Sequence, residues 1–271
     1  MRTDNHIRKL LLGGAFFAAG IAAGMAQQPT VRYGSRYRTV CLDSTFDRNV
    51  DTKLARYVAV RKGRLDKKMN VKIGRSDEAM FSSAPQSSLS NFLTDLLLAK
   101  SSDYADGRKC DVAILNFGGI RSCFPKGDIT VGDVYKVSPF DNYIVTVTLR
   151  GSELQRVVDR FRFSQMSAAY SGMEIQFRDN MPEKALVGGI PIAPDSLYEL
   201  VTLNFISEGG DGILSGIKYE NVRCTSVIFR DFIITELRNM TRKGLSVSGR
   251  EDARAEAVSQ TAGLPHERAA N

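Results

Sequence analysis

Asp111-Val112-Ala113-Ile114-Leu115-Asn116-Phe117-Gly118-Gly119-Ile120-Arg121 is the stretch on which the fold turns. Its first half is a short apolar run with no charge inside it, which predicts a buried strand that ends at Asn116. Gly118 and Gly119 follow. Without a Cβ they let the backbone approach a ligand or adopt a positive φ, although a Gly-Gly pair after a strand also serves as an ordinary tight turn. Arg121 adds a guanidinium fork whose geometry suits a phosphate or a pair of hydroxyls.

Two further blocks have the same construction. Pro139-Phe140-Asp141-Asn142 runs into Tyr143–Leu149, where branched apolar residues alternate with threonines as in a strand. Asn204-Phe205-Ile206-Ser207-Glu208-Gly209-Gly210-Asp211-Gly212 leaves a second predicted strand, 198–203. Pro139 presets the backbone before Phe140, and Phe205 stands one residue beyond its own strand. Either ring serves equally as core. Two aromatics at loop entrances can instead sandwich a planar base, with stacking of roughly 1 to 3 kcal/mol per base. Asp211, between glycines, can accept hydrogen bonds from ribose hydroxyls or make a plain Gly-Asp-Gly turn.

The remaining periodicities fill in the domain. Leu89, Phe92, Leu93, Leu96 and Leu97 recur at helical spacing behind capping serines. Residues 131–135 predict a short helix, 153–163 a longer one, and 227–240 a final amphipathic helix. Met69, Val71 and Ile73 alternate, so 67–73 is expected to be a strand, and 173–177 another. Residues 56–61 fit a strand or a helical turn equally. Strands and helices mix without a regular βαβ alternation, which predicts an α+β fold, and no fixed-period repeat is present.

The N-terminus has Arg2, Arg8 and Lys9, then an apolar stretch from Leu10 to Met25 and small residues at Gly24 and Ala26. That pattern predicts a signal peptide over 1–26 and an exported chain, periplasmic or extracellular after cleavage. The stretch is too weakly apolar for the roughly 20 residues of a membrane anchor. Residues 27–38 are polar and irregular, a leader to a domain expected over 39–245. Beyond Ser246 the sequence turns to Ala, Arg, Glu, Ser and Gly, so 246–271 is expected to be a disordered tail.

The formal charge of +7 falls to +5 once Arg2, Arg8, Lys9 and Asp4 are removed. Basic residues are interspersed with acidic ones and tryptophan is absent, which argues against a nucleic-acid polymer as partner. The cysteines Cys41, Cys110, Cys123 and Cys224 allow two disulfides in three pairings, or buried thiols. They lack the close Cys-x-x-Cys spacing of a zinc site.

Five motifs taken together resemble the C-terminal domain of the 5′-nucleotidase family over about residues 70–240: Asn116-x-Gly-Gly-Ile-Arg121, Pro139-Phe140-x-Asn142, Gly151-x-x-Leu154, Ser171-Gly172 and Asn204-Phe205-x-x-x-Gly-Gly-Asp211-Gly. The resemblance implies a single α+β domain with a mixed sheet and packed helices that binds a nucleotide or nucleoside. It implies a substrate site of Asn116, Gly118, Gly119, Arg121, Phe140, Asn142, Gly172, Phe205 and Asp211. Phe140 and Phe205 would stack on the base, Asn116 touch the base, Asp211 hold the ribose, and Arg121 reach the ribose or phosphate. Phe117 stands where the family usually has glycine, adding an expected ring to the pocket. Serines and Leu89-Ser90-Asn91 replace the phosphate-gripping arginine and Leu-Gly-Asn step that often precede the family's first helix.

Family members hydrolyse phosphate esters with a separate N-terminal domain that carries two metals on histidines, aspartates and an asparagine. Here the two histidines, His6 and His266, lie outside the motif-bearing region, so no Asp-x-His, Gly-Asn-His or His-x-His occurs within it. The expectation is a chain with no catalytic residues, metal or cofactor of its own. It would be the specificity domain of a split 5′-nucleotidase, with divalent metals only on a separate metallophosphatase subunit. The alternative is a stand-alone extracellular nucleoside- or nucleotide-binding protein.

Overall fold

The computed structural model describes residues 51–258. The expected signal peptide, leader and domain start at residue 39 lie outside these residues, as do residues 259–271. The chain divides at Ala55 and Arg56 into two units, and the sheets and cleft described below belong to the second.

The fold is α+β. Helix α1 (Thr52–Met69) precedes strand β1 (Lys72–Ser76), which pairs antiparallel with β3 (Gly127–Thr130). The central sheet has five strands: β2 (Val112–Asn116), β4 (Tyr143–Arg150), β5 (Ala168–Ser171), β9 (Leu197–Leu203) and β10 (Tyr219–Ile228). Their order is β10-β4-β9-β2-β5, with β2 and β9 parallel and the other neighbours antiparallel. A third sheet contains β6 (Met173–Arg178), β7 (Met181–Val187), β8 (Ile190–Pro191) and β11 (Ala255–Ala257).

Strand β2, in the interior of the central sheet, is buried on both faces, which is why it is continuously apolar. Ala113 and Leu115 enter one core with α2 (Ser88–Ala99), α3 (Val131–Val137) and α6 (Phe229–Arg242). Val112 and Ile114 enter the other, with Val145, Val147, α4 (Gly151–Val158), Ile206 of the short helix α5 (Asn204–Ser207) and β6. Full burial of one such Leu, Ile or Phe side chain contributes about 1.5–3 kcal/mol. The two cores therefore clamp the sheet and fix where its strands end.

Several expectations change. Residues 56–61 are helical, and the predicted strand 67–73 is split between the end of α1 and the start of β1. The Met69, Val71, Ile73 alternation spans that junction, and a run of Lys, Arg, Ala and Leu favours helix up to it. Helix α4 stops at Val158 because Asp159 and Arg160 make a turn, although Phe161 beyond it is buried. The last helix begins at Phe229, because Val227 and Ile228 complete β10.

The largest correction concerns residues 246–258, which are not a disordered tail. Val247 donates to the Arg75 carbonyl, and β11 pairs in parallel with β6 through Ala255, Glu256 and Ala257. Arg254, 8% exposed, meets Asp95 at 2.9 and 3.0 Å and Asp252 at 2.7 Å, and donates to the Tyr170 carbonyl. Tyr170 returns a hydrogen bond to the Arg254 carbonyl at 2.8 Å. Charge-rich composition disguised a segment held by a buried ion-pair network.

Candidate functional site

Strands β2 and β9 run parallel as neighbours, so Asn116 and Asn204 leave the central sheet at the same end. Strand β4 is antiparallel to β9 with Ile144 opposite Leu203, so its beginning lies there as well. Three blocks separated by tens of residues thus converge because two strands finish where a third starts. Asn204 ties them together, its Oδ1 accepting from the Tyr143 backbone N–H at 2.8 Å.

The blocks enclose a cleft of about 270 Å³ lined by Asn116, Gly118, Gly119, Arg121, Phe140, Asn142, Phe205 and Asp211. Eight of the nine residues named from the sequence meet here. The ninth, Gly172, does not. Ala113 pairs with Ser171, which places Gly172 beside Asp111 at the opposite end of β2. At φ +83 a Cβ there would lie 2.0 Å from the Asp111 carbonyl oxygen, so this glycine serves a tight crossing. Phe117 is also absent from the cleft, because its ring packs against the second core.

Asn116 is 4% exposed and donates through Nδ2 to Asp211 Oδ2 at 2.6 Å. Its Oδ1 is buried with no protein partner. A Cβ on residue 119 would come within 2.7 Å of that oxygen, so glycine at 119 is what leaves Asn116 its place. Asp211 itself adopts φ +52 between Gly210 and Gly212, a left-handed backbone that aspartate tolerates better than most residues.

Phe140 and Phe205 are 46% and 40% exposed, large apolar surfaces that the cleft leaves open. Phe205 lies against Gly210, where a Cβ would fall 2.4 Å from the ring. Arg121 is exposed, with its backbone N–H bonded to the Val137 carbonyl and Nη1 3.3 Å from the Gly118 carbonyl oxygen. The serines before α2 have structural partners. The Ser87 backbone N–H donates to Ser90 Oγ at 3.0 Å, and Asn91 Nδ2 donates to the Arg250 carbonyl at 2.7 Å.

Behind the cleft stands a residue that sequence inspection missed. Arg230, in the first turn of α6, reaches the loop carrying Phe140 by donating to the Pro139 carbonyl at 3.1 Å and to Asp141 Oδ1 at 2.6 Å. The only signal was an arginine set in an apolar run, Val227-Ile228-Phe229-Arg230-Asp231-Phe232-Ile233.

Among the described residues no group of three or more His, Cys, Asp and Glu is arranged to hold a metal ion. The cleft has one carboxylate, and Asn116 already engages it. What the arrangement offers is two half-exposed aromatic rings, a buried asparagine, a carboxylate and an exposed cation around one cleft.

Residues 72–217, more than half of the chain, match the family model described as 5′-nucleotidase, C-terminal domain. The chain belongs to this family. This 5′-nucleotidase C-terminal domain is 30% identical over 171 residues to the trifunctional nucleotide phosphoesterase protein YfkN of Bacillus subtilis, covering 56% of this chain and 12% of that protein. It is 34% identical over 124 residues to protein UshA of Yersinia enterocolitica, covering 44% and 22%. Among solved structures, a 5′-nucleotidase precursor from Thermus thermophilus matches 78% of this chain and 44% of its own, with a TM-score of 0.65 at 24% identity, a likeness of fold. The chain thus spans less than half the length of each relative. No helix among the described residues is long and apolar enough to cross a membrane.

Proposed function

We propose that this 5′-nucleotidase C-terminal domain is the specificity half of a split nucleotidase, holding a nucleoside or nucleotide while a separate metallophosphatase chain supplies the divalent metals and the hydrolysis. The observation that carries this reading is the meeting of two half-exposed phenylalanines with the Asn116–Asp211 pair in one cleft. A base would lie against Phe140 and Phe205 with Asn116 at its edge, and Asp211 would accept from ribose hydroxyls. Arg121, exposed at the rim, would reach the ribose or phosphate. With the predicted signal peptide, this activity belongs outside the cytoplasm.

Two measurements test it. Calorimetry with adenosine and its 5′-monophosphate should give binding that Phe140→Ala and Phe205→Ala each weaken roughly tenfold or more, as loss of one stacking partner requires. A candidate exported metallophosphatase subunit should hydrolyse nucleotides faster with the chain than alone. Binding without any gain in hydrolysis would favour the second reading, a stand-alone nucleoside-binding protein, which is supported by the cleft being built wholly within one structural unit. No binding to any nucleoside would remove both.

A further inference from the structure

We infer that Arg230 is a positioning residue for the Phe140 ring, acting from behind the cleft; this rests on the reading of Phe140 as the platform for a base. Phe140 is 46% exposed, so packing around the ring cannot fix it, and its placement depends on the backbone that carries it. That backbone is gripped from the start of α6 along its whole length. Arg230 Nη1 donates to the carbonyls of Pro139 and Phe140 at 3.1 and 3.4 Å, and Nη2 donates to Asp141 Oδ1 at 2.6 Å. Beside it the Phe229 N–H donates to the Asn142 carbonyl at 2.8 Å.

The guanidinium is itself held in place. Its Cζ stands 4.3 Å from the centroid of the Tyr135 ring, and the residue is 7% exposed. A buried cation is a poor device for stability alone, since a well-packed apolar residue commonly does as well. A planar fork that spans two carbonyls and a carboxylate is instead suited to fixing a short segment in one conformation. Lysine keeps the charge but, as a point donor, cannot span the three acceptors. Arg230 therefore sets the angle at which Phe140 meets a ligand without touching the ligand.

Because the chain contains no tryptophan, Phe140→Trp creates a single fluorescent reporter at the ring position. Combining it with Arg230→Lys should raise acrylamide quenching about twofold and lower the anisotropy, while thermal unfolding stays cooperative. Should Arg230→Lys fail to fold, Asp141→Ala removes one arm of the grip from a side chain that is 70% exposed and should move both signals the same way. Unchanged quenching and anisotropy in a folded variant overturns the inference. In a binding cycle, Arg230→Lys should weaken adenosine about tenfold with Phe140 present and less than twofold in Phe140→Ala. Equal losses in both backgrounds also overturn it. Failure of the parent chain to bind adenosine would sink the nucleoside reading, and the fluorescence result then decides the positioning role by itself.

Discussion

Asn116 Nδ2 lies 2.6 Å from Asp211 Oδ2, joining the last residue of β2 to the loop after β9 across a separation of 95 residues. The two ends of this bond differ in burial. Asn116 is 4% exposed, whereas Asp211 is exposed and adopts φ +52. Removing the asparagine releases a carboxylate into water; removing the aspartate leaves a buried amide N–H without an acceptor. Asp211→Ala should therefore destabilise by about 2–3 kcal/mol, combining the orphaned donor with left-handed strain. Asn116→Ala should cost only about 1 kcal/mol, near the net value of one hydrogen bond. Asp211→Asn, tolerant of the same backbone and still able to accept, should stay within about 1 kcal/mol of the parent. Urea denaturation of the three variants checks the order.

Gly210 leaves room for the Phe205 ring, and a Cβ there would meet three ring atoms at 2.4 to 2.5 Å. The ring is 40% exposed and can swing outward, so Gly210→Ala should cost about 1 kcal/mol of stability, the low end for overpacking. Nucleoside affinity should nevertheless fall roughly tenfold, since stacking geometry is lost along with the ring's position. Parallel thermal melts and calorimetry separate the two effects.

Among the described residues, Cys110, Cys123 and Cys224 are not bonded to one another. Burial pushes the Cys110 thiol up to about 11, although the Ser101 hydroxyl acts in the opposite direction. Because the thiolate is the reactive form, Cys110 should resist iodoacetamide at pH 8 in the folded chain and react after unfolding. Cys224 is exposed and should be alkylated in the native state. Mass spectrometry of peptides from native and denatured samples reads the difference.

Where the sequence was legible, one residue type answered to one physical demand. The run Val112–Leu115 had to be a doubly buried strand, and glycines or a proline beside polar and aromatic residues had to form loops. Those local signals located eight cleft residues. Gly172 was misplaced because a family motif marks a residue without saying which strand end it occupies; only the pairing of β2 with β5 does. Phe117 was misjudged because its ring can turn either way from a loop. Arg230 was overlooked because its partners are two backbone carbonyls and an aspartate some 90 residues away, and no local pattern encodes such contacts. The segment 246–258 failed for a related reason: its arginine and aspartate read as solvated charges until Asp95 is brought beside them.

That segment supplies the sharpest stability prediction. Arg254 joins Asp95 on α2 to Asp252 and the Tyr170 carbonyl, so it fastens β11 and the third sheet to the helical layer. Arg254→Met should destabilise by about 3 kcal/mol, the low end for breaking a buried ion pair, because Asp95 and Asp252 side chains are each 46% exposed and regain water. Deleting everything after Leu245 should cost at least as much, since the Val247 bridge and β11 go with it. The same network should respond to acid. The hydrogen bond from Arg254 holds the Asp252 carboxyl below its ordinary value of 3.8, against the opposing effect of burial. A depressed folded pKa means that the carboxylate's contribution is fully present above about pH 4 and is lost as pH falls through the lower folded value. Thermal midpoints recorded from pH 6 down to pH 2.5 should therefore fall more steeply below about pH 4 in the parent chain than in Asp252→Asn. Identical slopes for the two proteins would show that this ion pair does not anchor the segment.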